Sequence, residues 1–258
     1  RQERLADIGV RLAARLVRRC RARPPEARPA LWFTYHLYYK APDWIGPHVA
    51  DALGIPYVVA EASHAPKRAD GAWAVGHAAA EAAIRRADAL IGLNAQDSAC
   101  LRPLLENTDR LVPRRPILDA APYAAAAAAR DGHRRAAVAE FALTPDVPLL
   151  LVVAMMRGGD KLASYRVLAE ALARLRDAPW QLLVVGDGPA RDDVGSALAP
   201  FAARVRYAGE RTAGQMPALY AAADMLAWPA VREAFGMAIL EAQATGLPLL
   251  KVASAPAT

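Results

Sequence analysis

The chain has 258 residues, of which 55% are hydrophobic and 22% are charged, a composition that suits one large or two medium soluble domains with ample core. Its two cysteines, Cys20 and Cys100, lie far apart and in no motif, which argues against a disulfide framework or a cysteine zinc site and favours a reducing compartment. The longest apolar run, residues 147–156, is too short to span a bilayer.

Residues 1–23 predict a basic amphipathic helix, in which apolar side chains recur at helical spacing and arginines lie largely on the other faces. The apolar positions are Leu5, Ile8, Leu12, Leu16 and Cys20. Two interpretations stay open: the helix packs on a sheet, or it lies on an anionic membrane surface.

Strands and helices alternate after this helix. Strands are predicted at residues 30–37, 56–62 and 87–94, and helices at 42–54 and 72–87. Residues 111–135 break the rhythm with prolines, an alanine run and polar residues, which predicts an interdomain connection that a helix at 134–142 closes.

The alternation then restarts, with no internal sequence repeat. Strands are predicted at 148–156, 181–186, 205–209, 224–229 and 246–253, and helices at 164–175, from 189, at 216–223 and from about 236. Alternating strands and helices favour parallel sheets, so the sequence predicts two Rossmann-like lobes that bind ligands at the carboxyl ends of their strands. We assign residues 1–120 to the first lobe, 121–143 to the connection and 144–258 to the second lobe.

The first strand end of the second lobe carries two cations beside a glycine pair. Arg157, Gly158, Gly159 and Lys161 lie between a predicted strand and a predicted helix. Glycines let backbone N–H groups approach a phosphate, and the cations neutralise its charge, so the loop is suited to a diphosphate. The alternative is an ordinary loop with solvated charges.

The second strand end carries Gly186 and Gly188, followed by Pro189. It resembles a dinucleotide-binding fingerprint only in part, because Arg191 occupies the position of the third glycine. A tight turn into a helix is the alternative.

The third strand end holds Glu233 and Glu241, with Gly236 between them. A helix that starts near Phe235 and Gly236 leaves its first N–H groups unpaired, and its dipole favours an anion there. Carboxylates can bind vicinal sugar hydroxyls, so an anion site between two glutamates suits a nucleoside-diphosphate sugar. The alternative is an amphipathic helix with a solvated glutamate at each end.

These motifs resemble those of a known family. The stretch 233–242 followed by 246–250 resembles the E-x7-E signature of retaining GT-B glycosyltransferases of family 4, the group 1 glycosyl transferases. Three further stretches resemble that family's motifs in the same order: 155–161, 184–189 and 223–236. The resemblance covers most of the chain, because stretches of the first lobe and of the connection also look like the family's.

The resemblance implies an α/β, GT-B-like fold of two Rossmann-like lobes with a cleft between them. It implies a hexosyltransferase that moves a sugar from a nucleoside-diphosphate sugar to a sugar, lipid or polysaccharide-precursor acceptor, with retained anomeric configuration and without a metal or cofactor. Arg157 and Lys161 would bind the donor diphosphate, and Glu233 would contact the donor sugar. The remaining donor-binding residues would be Gly158, Gly186, Gly188, Phe235, Gly236, Met237 and Glu241, the last on the ribose hydroxyls.

His64 follows a predicted strand of the first lobe and is a further candidate to face the cleft, where an imidazole can bond a sugar or phosphate; a loop histidine is the alternative. The family is usually longer at both ends, so we expect the first lobe to miss its first strand and the second to be truncated. If so, an inactive remnant that binds nucleotide only is one alternative. A second alternative is a GT-B sugar-nucleotide epimerase.

The net charge of +6 and the pI near 9.6 favour anionic partners, unless the arginines only reflect genomic base composition. No basic–aromatic module supports nucleic-acid binding. We see no signal peptide and predict a cytoplasmic protein, with peripheral contact at the inner face of the membrane as an option.

Overall fold

The computed structural model describes residues 1–231 and 236–250. The chain divides into two compact units, residues 1–116 and 117–258. Each unit contains a parallel sheet with helices, as the alternation of strands and helices predicts.

The first unit is built on a sheet with strand order β1-β2-β3-β4, in which all neighbours are parallel. Its strands are β1 (Trp32–Leu37), β2 (Tyr57–Ala62), β3 (Ala89–Gly92) and β4 (Leu111–Pro113). Its helices are α1 (Gln2–Arg21), α2 (Gly46–Leu53), α3 (Ala74–Arg86) and α4 (Ala95–Leu101). Short 3-10 turns lie at Pro25–Ala27, Pro66–Arg68, Gly71–Trp73, Arg102–Leu104 and Thr108–Arg110.

The second unit is built on a sheet with strand order β7-β6-β5-β8-β9, again parallel throughout. Its strands are β5 (Leu149–Val153), β6 (Gln181–Val185), β7 (Val205–Gly209), β8 (Met225–Ala227) and β9 (Leu249–Leu250). Its helices are α5 (Ala121–Ala128), α6 (Arg130–Phe141), α7 (Asp160–Ala173), α8 (Arg191–Leu198), α9 (Met216–Ala222) and α10 (Met237–Ala244). A 3-10 segment covers Ala199–Arg204.

Burial explains why the strand sequences are apolar runs rather than alternating patterns. Every residue of β6 is buried, and in β5 three of the five residues are buried and the other two partly buried. A parallel strand covered by helices on both faces has no solvated side, so both sets of its side chains are apolar. The register places Leu151 beside Leu183 at the centre of the sheet.

Two elements of the first unit were not predicted. Asn94 accepts a hydrogen bond from the backbone N–H of Asp97 at 2.7 Å and thereby caps α4. The short strand β4 pairs with β3 in parallel, with Ile91 opposite Val112. The proline that follows Val112 hides this strand from a sequence pattern, because proline is depleted in strands.

Residues 121–143, which we predicted as the interdomain connection, contain α5 and α6. Both helices pack against α9 within the second unit. The side chain of Tyr123 in α5 contacts Tyr220 of α9 edge to face, with ring centroids 6.0 Å apart. The residues predicted as the connection are therefore part of the second compact unit.

The first helix is where we predicted it, but its buried face is different. Gly9, Ala13 and Val17 are buried, whereas Leu5 and Leu12 are more than 40% exposed. A Cβ atom on Gly9 would overlap with Trp44, so a small residue is needed where the helix approaches its neighbour most closely. The predicted stripe is therefore only partly buried, since Ile8, Leu16 and Cys20 are half-buried while small residues make the closest contact. In the described part of the chain, no helix is both long and apolar enough to cross a membrane.

Candidate functional site

The strand order of the second unit creates a switch point at β5. The chain runs from β5 outward through β6 to β7, and then returns to the other side of β5 for β8 and β9. Because the loops after neighbouring strands run in opposite directions at this point, a crevice forms at the carboxyl edge of the sheet. Ligands of open α/β sheets bind in such a crevice. The three predicted motifs follow β5, β6 and β8, so the topology brings them to this edge.

The loop after β5 leads into α7, whose first turn carries Lys161. The Lys161 ammonium lies 5.4 Å from the ring centroid of Trp228, which directly follows β8. Trp228 is 2% exposed and contacts Tyr165 edge to face at 5.1 Å. The Tyr165 hydroxyl in turn donates to the carbonyl of Ala154 at 3.0 Å. This chain of contacts holds the lysine above the ends of β5 and β8.

A second contact ties the same two loops together. The hydroxyl of Ser164 accepts a hydrogen bond from the backbone N–H of Val231 at 3.0 Å and donates to the carbonyl of Asp160 at 2.9 Å. Ser164 is 1% exposed. The stretch that leads toward the predicted glutamate signature is therefore anchored on the first turn of α7.

The glycines after β6 are required by backbone packing. Gly186 and Gly188 have φ angles of +127° and +148°, and a Cβ atom on either would overlap with the carbonyl oxygen of Ala154 or Met156, respectively. The Met156 N–H donates to the carbonyl of Asp187 at 2.8 Å. Close approach of the loops after β5 and β6 accounts for both glycines without a ligand.

The N-terminus of α10 is formed by Gly236, whose backbone is left-handed with φ 61° and ψ 43°. The carbonyl of Gly236 accepts from the N–H of Ile239 at 2.8 Å, so the helix starts at Met237. N–H groups in the first turn of a helix have no partner within it and, together with the helix dipole, favour an anion. Gly236 and Met237 both line the cavity described below.

Glu241 lies on α10, one turn from its start, and is positioned by a tyrosine. The hydroxyl of the fully buried Tyr220 donates to Glu241 Oε2 at 2.7 Å. Burial and the neighbouring carboxylate raise the pKa of Tyr220. Burial and the negative charge of Glu241 likewise raise the pKa of Tyr123 to about 12. Both phenols thus stay neutral at physiological pH beside the carboxylate.

These elements surround a cavity of about 430 Å³ at the carboxyl ends of β5, β6 and β8. It is lined by Val153, Ala154, Met155, Lys161, Val185, Gly186, Glu210, Arg211, Ala213, Met216, Trp228, Gly236, Met237, Ala238 and Glu241. Five predicted site residues are therefore brought together: Lys161, Gly186, Gly236, Met237 and Glu241.

Other predicted residues lie elsewhere. In the cavity as the described residues form it, Arg157, Gly158 and Gly188 are not lining residues, and Arg157 is exposed on the loop before α7. Glu233 and Phe235 lie outside the described residues.

The loop after β7 contributes a polar wall to the cavity. The Arg211 guanidinium pairs with Glu140 at 2.8 Å, donates to the carbonyl of Ala208 at 3.0 Å and stacks on Phe141 at 5.1 Å. These contacts hold Arg211 at the cavity together with Glu210. Both residues follow the predicted strand at 205–209, as expected for a ligand site at the carboxyl ends of the strands.

His64 belongs to the first unit, whereas every lining residue of the cavity belongs to the second. Its side chain is only 8% exposed, and its Nε2 lies 3.3 Å from Glu81 Oε2. Burial lowers the pKa of His64 most strongly, the hydrogen bond to Glu81 opposes this, and His77 adds to the lowering.

Comparison with known proteins identifies the second unit. The family described as "Glycosyl transferases group 1" matches residues 147–257, a segment that contains all three strand-end motifs. Residues 147–257 are thus similar to the group 1 glycosyltransferases, the family whose motifs the sequence resembles.

Solved glycosyltransferase structures share the GT-B-like fold of this chain. A glycosyltransferase from Rickettsia africae superposes with a TM-score of 0.67 at 15% identity and covers 94% of this chain and 61% of its own. HepE of Anabaena, solved in complex with UDP and glucose, has a TM-score of 0.63 at 17% identity and covers 93% of this chain and 62% of its own. The predicted two-lobed α/β fold class is confirmed.

Curated relatives are similar to this chain over part of their length. The D-inositol 3-phosphate glycosyltransferase of Nocardia farcinica is 31% identical over 178 residues, which are 65% of this chain and 38% of the relative. The 2-deoxystreptamine glucosyltransferase of Streptomyces kanamyceticus is 36% identical over 89 residues, which are 33% of this chain and 23% of the relative. The chain thus spans well under half of the length of these relatives.

Proposed function

We propose that this glycosyltransferase binds a nucleoside-diphosphate sugar in the 430 Å³ cavity and transfers the sugar with retained anomeric configuration. The observation that carries the proposal is that a cation, a helix N-terminus and a tyrosine-held carboxylate line one cavity at the switch point of a parallel sheet. The residues are Lys161, Gly236 with Met237, and Glu241.

The carboxylate is suited to the ribose of the donor. Glu241 receives one hydrogen bond from Tyr220 through Oε2, which sets the orientation of its carboxylate plane. A carboxylate has further lone pairs that can accept from two neighbouring hydroxyl groups. A nucleoside without vicinal hydroxyls would therefore bind less tightly than a ribonucleoside.

The cation and the helix N-terminus are suited to the diphosphate. Lys161 supplies a positive charge, and the first-turn N–H groups of α10 supply donors in a fixed direction. Arg157 is exposed on the loop that leads into the first turn of α7, where Lys161 lies, so we assign Arg157 to the outer part of the diphosphate, together with the backbone of Gly158.

The reaction breaks the bond between the anomeric carbon and the diphosphate oxygen and forms a bond from that carbon to the acceptor oxygen. The acceptor attacks on the face that the diphosphate leaves, so the configuration is retained, and the acceptor proton passes to the departing phosphate oxygen. Lys161 and Arg157 stabilise the negative charge that develops on the leaving group. Glu233 contacts the donor sugar in this scheme.

The comparisons support a nucleotide-sugar donor. Crystal structures of HepE contain UDP and UDP-glucose, and HepE shares the fold of this chain. We therefore propose UDP as the first nucleotide to test, and a sugar, a lipid or a polysaccharide precursor as the acceptor. The exposed arginines of α1 support an encounter with an anionic surface when the acceptor is a lipid.

Calorimetric titration of the purified chain with UDP, GDP and ADP tests this proposal. We expect saturable binding of one nucleotide and a loss of at least about 10-fold in affinity for Glu241→Gln, because an amide presents a donor where the ribose needs an acceptor. Glu170→Gln is the matched control, since Glu170 is exposed on α7 and lies away from the cavity. A folded chain that binds none of the three nucleotides, or equal affinities of both variants, would overturn the proposal.

A further inference from the structure

A cluster of three metal-binding side chains lies in the first unit. His77 and Glu81 are four residues apart on α3, and His64 comes from the loop after β2. Residues at i and i+4 of a helix project from the same face, so the two α3 side chains converge on the loop. One potential ligand atom from each of the three residues lies within 4.8 Å of the other two.

The buried member of the cluster lacks a partner. His77 is 5% exposed, and among the described residues its Nε2 has no hydrogen-bond partner. Burial of an unsatisfied polar atom costs about 1–3 kcal/mol, so such an atom calls for an explanation. The His77 ring lies beside that of His64, with centroids 4.9 Å apart.

The spacing is close to that of a zinc site. With zinc–ligand bonds of about 2.0–2.1 Å and tetrahedral angles, two ligand atoms lie about 3.4 Å apart. His64 Nε2 and Glu81 Oε2 are already separated by 3.3 Å. The separations between the three ligand atoms exceed the ideal value by at most about 1.4 Å. Small side-chain rotations therefore suffice to bring the third ligand atom to the ideal distance.

The surroundings of Glu81 orient its carboxylate. Arg85 donates from Nε and Nη2 to Glu81 Oε1 at 3.0 and 2.9 Å, and its Nη1 donates to the carbonyl of Leu104 at 3.0 Å. The arginine therefore holds one carboxylate oxygen while the other points toward His64. Hydrogen bonds of this kind to ligating carboxylates are usual around metal sites.

We propose that His64, His77 and Glu81 form a site for a divalent transition-metal ion, with zinc as the preferred occupant. Two imidazoles and one carboxylate are a donor set that suits zinc and disfavours calcium or magnesium. The bound ion fixes the loop after β2 to α3 and satisfies the buried His77 nitrogen. The three residues lie in the first unit, and none of them lines the cavity of the second unit.

Metal binding by the chelator-treated, folded chain tests the proposal directly. We expect one equivalent of Zn²⁺ to bind in a calorimetric titration, and one equivalent of Co²⁺ to give the visible absorption of a low-coordinate imidazole-ligated ion. His77→Ala should lower the affinity by on the order of 100-fold or more, because three ligands become two. Glu81→Gln should lower it by roughly 10-fold or more, since a neutral amide is a weaker ligand than a carboxylate.

His48→Ala is the matched control, because His48 is exposed on α2 of the same unit and lies outside the cluster. The Zn²⁺ affinity of His48→Ala should equal that of the unmodified chain. Absence of stoichiometric binding by the folded unmodified chain, or affinities that Glu81→Gln and His77→Ala leave unchanged, would overturn the site. If His77→Ala does not fold, the metal affinity of Glu81→Gln and the Co²⁺ spectrum of the unmodified chain still test whether the site exists. Because the readout is metal binding, failure here is distinct from failure of nucleotide binding.

Discussion

The hydroxyl of Tyr220 donates to Glu241 Oε2 at 2.7 Å, across 21 positions of sequence and between two helices. Tyr220 is fully buried, so its hydroxyl has few alternative orientations. The carboxylate that we assign to the ribose is thus set by a residue that does not itself line the cavity.

Tyr220→Phe should weaken nucleotide binding without abolishing it. The variant keeps the ring and its packing but leaves Glu241 without its positioning donor, which should lower the affinity about 5-fold, equivalent to about 1 kcal/mol. Calorimetric titration with the nucleotide that binds the unmodified chain measures this. Tyr207→Phe, on β7, is the control that also loses one hydroxyl. Unchanged affinity in Tyr220→Phe would show that Glu241 does not need this contact.

The raised pKa of Tyr123 predicts a loss of stability at high pH. Its ordinary value of 10.0 applies to the unfolded chain, and burial beside Glu241 raises the pKa in the folded chain to about 12. The unfolded state therefore loses its proton first, so the contribution is complete below pH 10 and is lost as the pH rises toward 12. Urea unfolding at a series of pH values should show a smaller loss for Tyr123→Phe than for the unmodified chain. Parallel pH profiles would contradict this.

Substitution of the glycines after β6 should destabilise the second unit. Gly186→Ala and Gly188→Ala each place a Cβ against a backbone carbonyl and force a positive φ on an alanine. Each substitution should lower the free energy of unfolding by about 2 kcal/mol or more. Gly195→Ala is the control, because Gly195 lies within α8 with open space around its Cα, and alanine there should be neutral or stabilising by up to about 1 kcal/mol. Urea unfolding measures all three. Equal stability of Gly188→Ala and Gly195→Ala would show that the loop can move aside.

Asp224 should prove important for stability of the second unit. Its Oδ1 accepts from Arg130 at 2.6 Å, and its Oδ2 accepts from the N–H of Leu149 at 2.7 Å, at the start of β5. In Asp224→Asn, the amide group turns a donor toward one of these two donors. This should lower the free energy of unfolding by about 2 kcal/mol. Thermal and urea unfolding check this against Asp177→Asn, an exposed residue in the turn before β6. If the two variants are equally stable, Arg130 and Leu149 find other acceptors.

Local patterns predicted most elements but not their faces. The strands at β5 and β6 were found because both faces of a buried parallel strand are apolar, which leaves a continuous run. Part of the buried face of α1 was missed because Gly9 packs closely against Trp44, just before α2, and a search for large apolar residues passes over such small residues. The helix α4 was missed although Asn94 is a regular cap, since its seven residues carry little periodicity.

The candidate site shows the same division. Lys161, Gly236 and Glu241 were predicted from their motifs, whereas Tyr220, Trp228 and the histidine–glutamate cluster were not. Trp228 and Tyr220 look like ordinary core residues, and their sequence neighbours give no sign of what they support. The four-residue spacing of a histidine and a glutamate on α3 was the signal for the cluster, but His64 joins it only in three dimensions.

By itself, the sequence determined the alternation of strands and helices, the family motifs and the loops that carry them, because hydrophobic period, glycine and proline act within a few residues. Only the tertiary structure decided which of these loops meet. β5 pairs with both β6 and β8, so residues far apart in the chain share one edge of the sheet. Strand order depends on how the helices pack over the whole unit, and no local pattern encodes it.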